Sequence, residues 1–142
     1  MKDIPDHIAI VQRTFAQVTP IAPQAAALFY SNLFQADPSL RRLFKADMNF
    51  QGERLMAMLG TAVNLLGKPS TLLPALRALG ARHVDYGVQR SHYATVGGAL
   101  LKTLEQGLGP AWTSEAAQAW TAIYGVIRDT MLEGAGELQE AA

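Results

Sequence analysis

Apolar residues along this chain recur three and four positions apart, and proline or glycine closes each run. That spacing puts a stripe on one side of a helix, whereas a half-buried strand needs strict alternation. No alternating stretch is long enough, between turn residues, to make a strand. The sequence therefore predicts an all-α protein of about seven unequal helices. One helix is expected from Asp6 to Val18, with Ile8, Val11, Phe15 and Val18 on its inner face. Thr19-Pro20-Ile21-Ala22-Pro23 breaks it, because proline lacks the amide proton and clashes with the preceding turn. A second helix carries Ala26, Tyr30, Leu33 and Phe34. Asp37-Pro38 opens a short third one with Leu40, Leu43 and Phe44.

A helix over Phe50–Leu66 follows, its inner face reading Gln51, Leu55, Met58, Leu59, Ala62 and Leu66. Beyond Gly67-Lys68-Pro69-Ser70, the positions Leu72, Leu76, Leu79 and His83 stand four, three and four apart and share one face. Gly87 closes that helix. The next, capped by Ser91, carries Tyr93, Val96, Leu100 and Leu104 up to Gly107-Leu108-Gly109-Pro110. The last starts near Thr113 or Ser114 and presents Ala116, Trp120, Ile123, Ile127 and Met131. Helices this unequal, with bent connections, suit pairwise crossed packing better than a regular four-helix bundle.

Composition narrows the chemistry. The 142 residues predict one domain, 1–142, and 49% apolar residues are enough for a sizeable core. Lys plus Arg equals Asp plus Glu, so no basic excess draws the chain to nucleic acid or anionic lipid. There is no cysteine, which excludes disulfides, thiolate metal sites and thiol nucleophiles. The polar N-terminus and the lack of a long apolar run predict a cytoplasmic protein with no membrane span. Gly67-Lys68-Pro69-Ser70 is not a phosphate loop: position 62 is Ala and no strand precedes it. No dinucleotide fingerprint is present, and His7, His83 and His92 have no paired spacing for zinc.

Three polar residues remain on inner faces. His83 continues a leucine stripe, as either a core histidine bonded to a backbone carbonyl or a metal ligand. Tyr30 sits between Ala26 and Phe34, so its hydroxyl needs a partner or faces a cavity. Gln51 shares a face with Leu55 and Met58, or else is a wet first-turn residue. His7 and His92 read as solvated.

An ordered set of motifs accompanies them: Leu28-Phe29-Tyr30-Ser31-Asn32-Leu33-Phe34, Leu43-Phe44, Gln51 with Leu55-Met56, and Arg82-His83-Val84-Asp85-Tyr86-Gly87-Val88. His92-Tyr93-Ala94-Thr95-Val96-Gly97 with Leu100-Leu101, and Ala119-Trp120-Thr121-Ala122-Ile123-Tyr124-Gly125-Val126, complete it. Across nearly its whole length the chain resembles the bacterial single-domain globins closest to the globin half of flavohaemoglobins. The resemblance implies a globin fold around a pocket for haem b, iron protoporphyrin IX. It makes His83 the iron ligand, Phe44 the aromatic wedged against the porphyrin, Tyr30 and Gln51 the distal pair and Leu55 the wall above the iron. Leu79, Tyr93 and Val96 would lie on the His83 side. Arg54 and Arg82 would either reach the propionates or remain solvated.

The implied ligands are dioxygen and nitric oxide. The leading expectation is conversion of nitric oxide to nitrate with electrons from a separate reductase, since 142 residues leave no room for a flavin domain. The alternatives are an oxygen carrier or scavenger, a gas sensor, and a helical interaction module without cofactor. Monomer and homodimer both remain open. One departure stands out. Family members often carry a glutamate eleven residues after the tyrosine matched by Tyr124, and here that position is Ala135, flanked by Glu133 and Glu137.

Overall fold

A computed structural model describes residues 4–44 and 47–136. Six α-helices follow one another: α1 (Ile4–Val18), α2 (Ala22–Ala36), α3 (Met48–Asn64), α4 (Pro69–Asp85), α5 (Arg90–Leu108) and α6 (Ser114–Gly134). Short 3-10 turns join several of them, and no strand occurs among the described residues. The expected short third helix is the 3-10 turn Pro38–Leu43. Six residues are too few to repay α-helix nucleation, and Asp37 caps the turn through Ser39 instead.

Local chemistry sets the boundaries. The first long helix after that turn begins at Met48, two residues before the expected Phe50, because the Asp47 carboxylate accepts the Phe50 amide at 3.2 Å. Thr113 caps α6 by accepting from the Ala116 amide at 3.1 Å. Ser91 does not cap α5. That helix starts at Arg90, and the Gln89 amide donates to Nδ1 of His92 at 3.0 Å. His92 is thus half-buried and part of a helix start, not freely solvated. His7 departs from expectation too: it is half-buried, and its Nδ1 is enclosed without a hydrogen-bond partner among the described residues.

The core runs between α1 and α6 and continues between α2 and α5. Trp120, Leu33, Ile123, Val11 and Val63 are its most deeply enclosed large side chains. Each such burial is worth about 1.5–3 kcal/mol. Trp120 stabilises the α1–α6 crossing twice, by packing near Phe15 and by donating its indole N–H to the Thr14 hydroxyl at 2.8 Å. Asn32 ties α2 to α5, donating to the Thr103 hydroxyl at 3.0 Å and to the Gln106 side-chain oxygen at 2.9 Å. Neither polar link was legible from apolar periodicity.

On α3 the inner face differs from expectation. Gly52 and Val63 are buried, Leu55, Met56 and Leu59 are half-buried, and Met58 is 37% exposed. Gly52 is there because α2 crosses at that point: a Cβ would stand 3.0 Å from the Cβ of Ala26. Against α6, α4 packs still more tightly. A Cβ on Gly80 would overlap the Met131 carbonyl, and one on Gly134 would overlap the Arg77 carbonyl. This paired backbone contact fixes the helix that carries His83. No helix among the described residues is long and apolar enough to cross a membrane.

Candidate functional site

His83 lies in the last turn of α4, half-buried. Its Nδ1 is 2.8 Å from the Leu79 carbonyl, one turn earlier. A carbonyl only accepts, so Nδ1 carries the proton and Nε2 holds the lone pair. Burial pushes the ring's pKa below the usual histidine value, and Arg82 pushes the same way. The Leu79 carbonyl opposes burial, less strongly than burial acts but more strongly than Arg82. The result is a neutral imidazole with fixed orientation and one free basic nitrogen, the form in which histidine binds a metal.

Among the described residues no three His, Asp or Glu converge on a point that could hold a metal ion. A metal at Nε2 would therefore take most of its ligands from a non-protein frame. The donor set fits a haem, which brings four nitrogens and leaves one axial position for the protein. The half-buried apolar residues Phe44, Leu55, Leu79, Val88 and Val96, all packed against the core, suit a large apolar plate.

Three of the expected site residues, Tyr30, Phe44 and Gln51, come together. Tyr30 on α2 is buried, and its ring packs edge-on against Phe44 at 5.2 Å between centroids. Its hydroxyl donates to the main-chain carbonyl of Gln51 at 3.3 Å. That length exceeds the usual O–H···O value of about 2.7–2.8 Å. The bond is weak and easily exchanged for a better acceptor. Burial raises the Tyr30 pKa to about 12, so the phenol remains a donor throughout the physiological range. Gln51 therefore joins Tyr30 through its backbone, where the sequence pointed to its side-chain amide.

Tyr93 and Val96 lie on α5, buried and half-buried respectively. Sequence reasoning assigned no role to Tyr124, which holds this segment: its hydroxyl donates to the Tyr93 carbonyl at 2.6 Å. Gly97 makes room for it, since a Cβ there would stand 2.6 Å from the Tyr124 ring. The pairing of that glycine with that tyrosine was the available signal. Arg82 and Arg54 are exposed, Arg54 lying 5.8 Å from the centre of the Phe50 ring.

The carboxylate question is resolved in part. Glu133 pairs with Arg77 of α4 at 3.1 Å on an exposed surface. Ala135 ends α6, its amide bonded back to Met131. Glu137 lies outside the described residues. A further cleft of about 870 Å³ runs between α2 and α3 and reaches Tyr30 and Phe34, with Arg41 at its edge; His83 is not among its lining residues.

Comparison with known proteins identifies the family and the fold. A sequence model of the Globin family matches residues 27–131. Flavohemoproteins of Bordetella parapertussis and Bordetella bronchiseptica are each 31% identical over 141 residues. Those alignments cover 97% of this chain and 35% of the relatives, so the chain spans about a third of their length. Among solved structures, a bacterial globin from Campylobacter jejuni superimposes with a TM-score of 0.80 at 20% identity, covering 96% of this chain and 99% of that one. An engineered carbene transferase from Rhodothermus marinus gives 0.82 at 24% identity, covering 95% and 94%. These two likenesses establish the fold. With a family match spanning most of the sequence and a helical frame that presents a neutral, backbone-anchored imidazole, the chain belongs to the globin family.

Proposed function

We propose that this globin binds haem through His83 and takes up dioxygen beside Tyr30 and Gln51 for the conversion of nitric oxide to nitrate. The observation that carries the reading is the Nδ1–Leu79 hydrogen bond, which fixes a neutral ring with Nε2 available. The relatives support it: flavohemoproteins are named for flavin and haem, and a flavohemoglobin from Malassezia yamatoensis was solved with FAD and heme bound. The Rhodothermus marinus neighbour is itself a candidate nitric oxide dioxygenase.

When bound, haem b supplies the iron that takes up dioxygen and exchanges electrons with it. The chain's own residues do the rest. His83 anchors the group, Phe44 wedges it, Leu55 walls the distal side, and Leu79, Tyr93 and Val96 pack the proximal side. Arg54 and Arg82 are free to meet the propionates. Tyr30 exchanges its long bond to Gln51 for one to dioxygen, and the Gln51 amide adds a second donor. Hydrogen bonds to a charged acceptor are worth about 1.5–3 kcal/mol, which slows dioxygen release by about one to two orders of magnitude. One nitric oxide, one dioxygen and one electron make one nitrate, and an external reductase supplies the electron.

Protein produced with haem available is expected to show a Soret band that His83→Ala abolishes. Mixing the reduced protein in air with nitric oxide is expected to yield nitrate. Absence of the Soret band overturns the whole reading. Dioxygen binding without nitrate leaves an oxygen carrier. Glu133 is committed to Arg77, so it does not make His83 more electron-donating.

A further inference from the structure

Charge is divided unevenly along this chain. Residues 37–92 hold eight of the twelve Lys and Arg but only four of the twelve Asp and Glu, and the remainder holds the complement. The positive stretch is the one that carries His83.

The fold brings part of it together at one corner. Gly87, at the α4–α5 corner, lies beside the 3-10 turn: a Cβ on it would be 3.5 Å from Cδ2 of Leu43. Asp37, at the start of that turn, is held below the usual carboxylate range by the Ser39 hydroxyl, with smaller help from His92 and Arg42. The turn and the corner are therefore neighbours. Their charges are the exposed Arg41, Arg42, Arg82 and Arg90 against the half-buried Asp37 and the exposed Asp85. Val84 is 50% exposed and Tyr86 52%. The Tyr86 ring stands 5.6 Å from the His83 ring between centroids, so whatever covers Tyr86 comes close to the iron ligand.

We propose that this corner is the docking surface for an acidic, electron-donating flavoprotein, with Tyr86 at its centre and Arg42, Arg82 and Arg90 at its rim. The proposal rests on haem being held at His83. An apolar centre inside a charged rim is the usual anatomy of an interface. Opposite charge on the partner steers encounter and raises association rates by about 10–1000-fold, an advantage that salt removes. One electron passes from the reduced flavin, which is oxidised, to ferric iron, which becomes ferrous. No bond forms or breaks. The acidic remainder of the globin, including α6, turns such a partner away and so selects the corner.

The test uses haem-loaded protein and flavodoxin, an acidic flavoprotein, as the probe. Titration calorimetry with oxidised flavodoxin is expected to show binding at low salt that weakens about tenfold or more at about 0.5 M salt. Arg42→Glu with Arg90→Glu is expected to weaken it by about the same factor, and to slow iron reduction by reduced flavodoxin likewise. Lys102→Glu, an exposed charge farther along α5, is expected to change neither by more than about twofold. Reduction by dithionite controls for an intact haem site and is expected to be equal in all variants. No binding at low salt, binding unaffected by the double reversal, or an equal loss from Lys102→Glu overturns the docking surface. Loss of the Soret band in the wild type instead overturns the haem assignment beneath it.

Discussion

Gly80 of α4 lies flat against the main-chain carbonyl of Met131 in α6, with no space between them for a methyl group. Gly134 and the Arg77 carbonyl repeat the contact one turn away, with the two glycines on opposite helices. The helix that carries His83 is thus held by backbone against backbone, at a separation only glycine allows.

Gly80→Ala sets two effects against each other. Helix propensity favours alanine by about 1 kcal/mol. Overpacking costs about 1–3 kcal/mol, and here the obstacle is a carbonyl that cannot rotate away. The net expectation is destabilisation by about 1–2 kcal/mol, read as a lower urea midpoint, with weaker haem retention as α4 shifts. A midpoint raised by the substitution would show that the helices stand farther apart.

Tyr30→Phe removes the hydroxyl while keeping the ring against Phe44. Its bond to Gln51 is long, so little stability is at stake. The expected loss is under about 1 kcal/mol. Dioxygen dissociation, measured by stopped flow, is expected to accelerate about ten- to a hundredfold. An unchanged off-rate removes this tyrosine from the distal mechanism.

Tyr124→Phe leaves the Tyr93 carbonyl without its 2.6 Å donor. The expected cost is about 0.5–1.5 kcal/mol in chemical denaturation. Gly97→Ala is expected to cost more, because the new methyl meets the ring itself. If Gly97→Ala proves silent, Tyr124 does not pass where the structure has it.

Alkaline titration probes the phenols of Tyr30 and Tyr124. Burial raises Tyr30 to about 12 and raises Tyr124 as well. A folded pKa above the unfolded value of about 10 means that the unfolded chain gives up its proton first. The associated stability is complete below about pH 10 and is lost as pH climbs toward 12. Absorbance of tyrosinate is expected to show Tyr30 and Tyr124 ionising late, coincident with unfolding, and Tyr30→Phe is expected to delete one late component. Loss of a component near pH 10 in Tyr30→Phe, with no late component deleted, would contradict the burial of Tyr30.

Much was determined by residue spacing alone. The stripe Leu72, Leu76, Leu79, His83 depends only on helical period, and it correctly aimed the imidazole inward. The proline and glycine breaks placed the helices for an equally local reason, since a missing amide proton or a left-handed residue such as Gly87 acts within one turn. Tertiary structure decided what depends on a neighbour distant in sequence. Met58 matched the period of α3 yet is 37% exposed, because the side of the helix that α2 meets is the one carrying Gly52. Tyr30 donates to the Gln51 backbone, Tyr124 reaches past Gly97 to Tyr93, and Arg77 draws Glu133 to the surface. Each of these pairs joins two elements whose approach is set by packing, and periodicity records a residue's face but not the partner that face will meet.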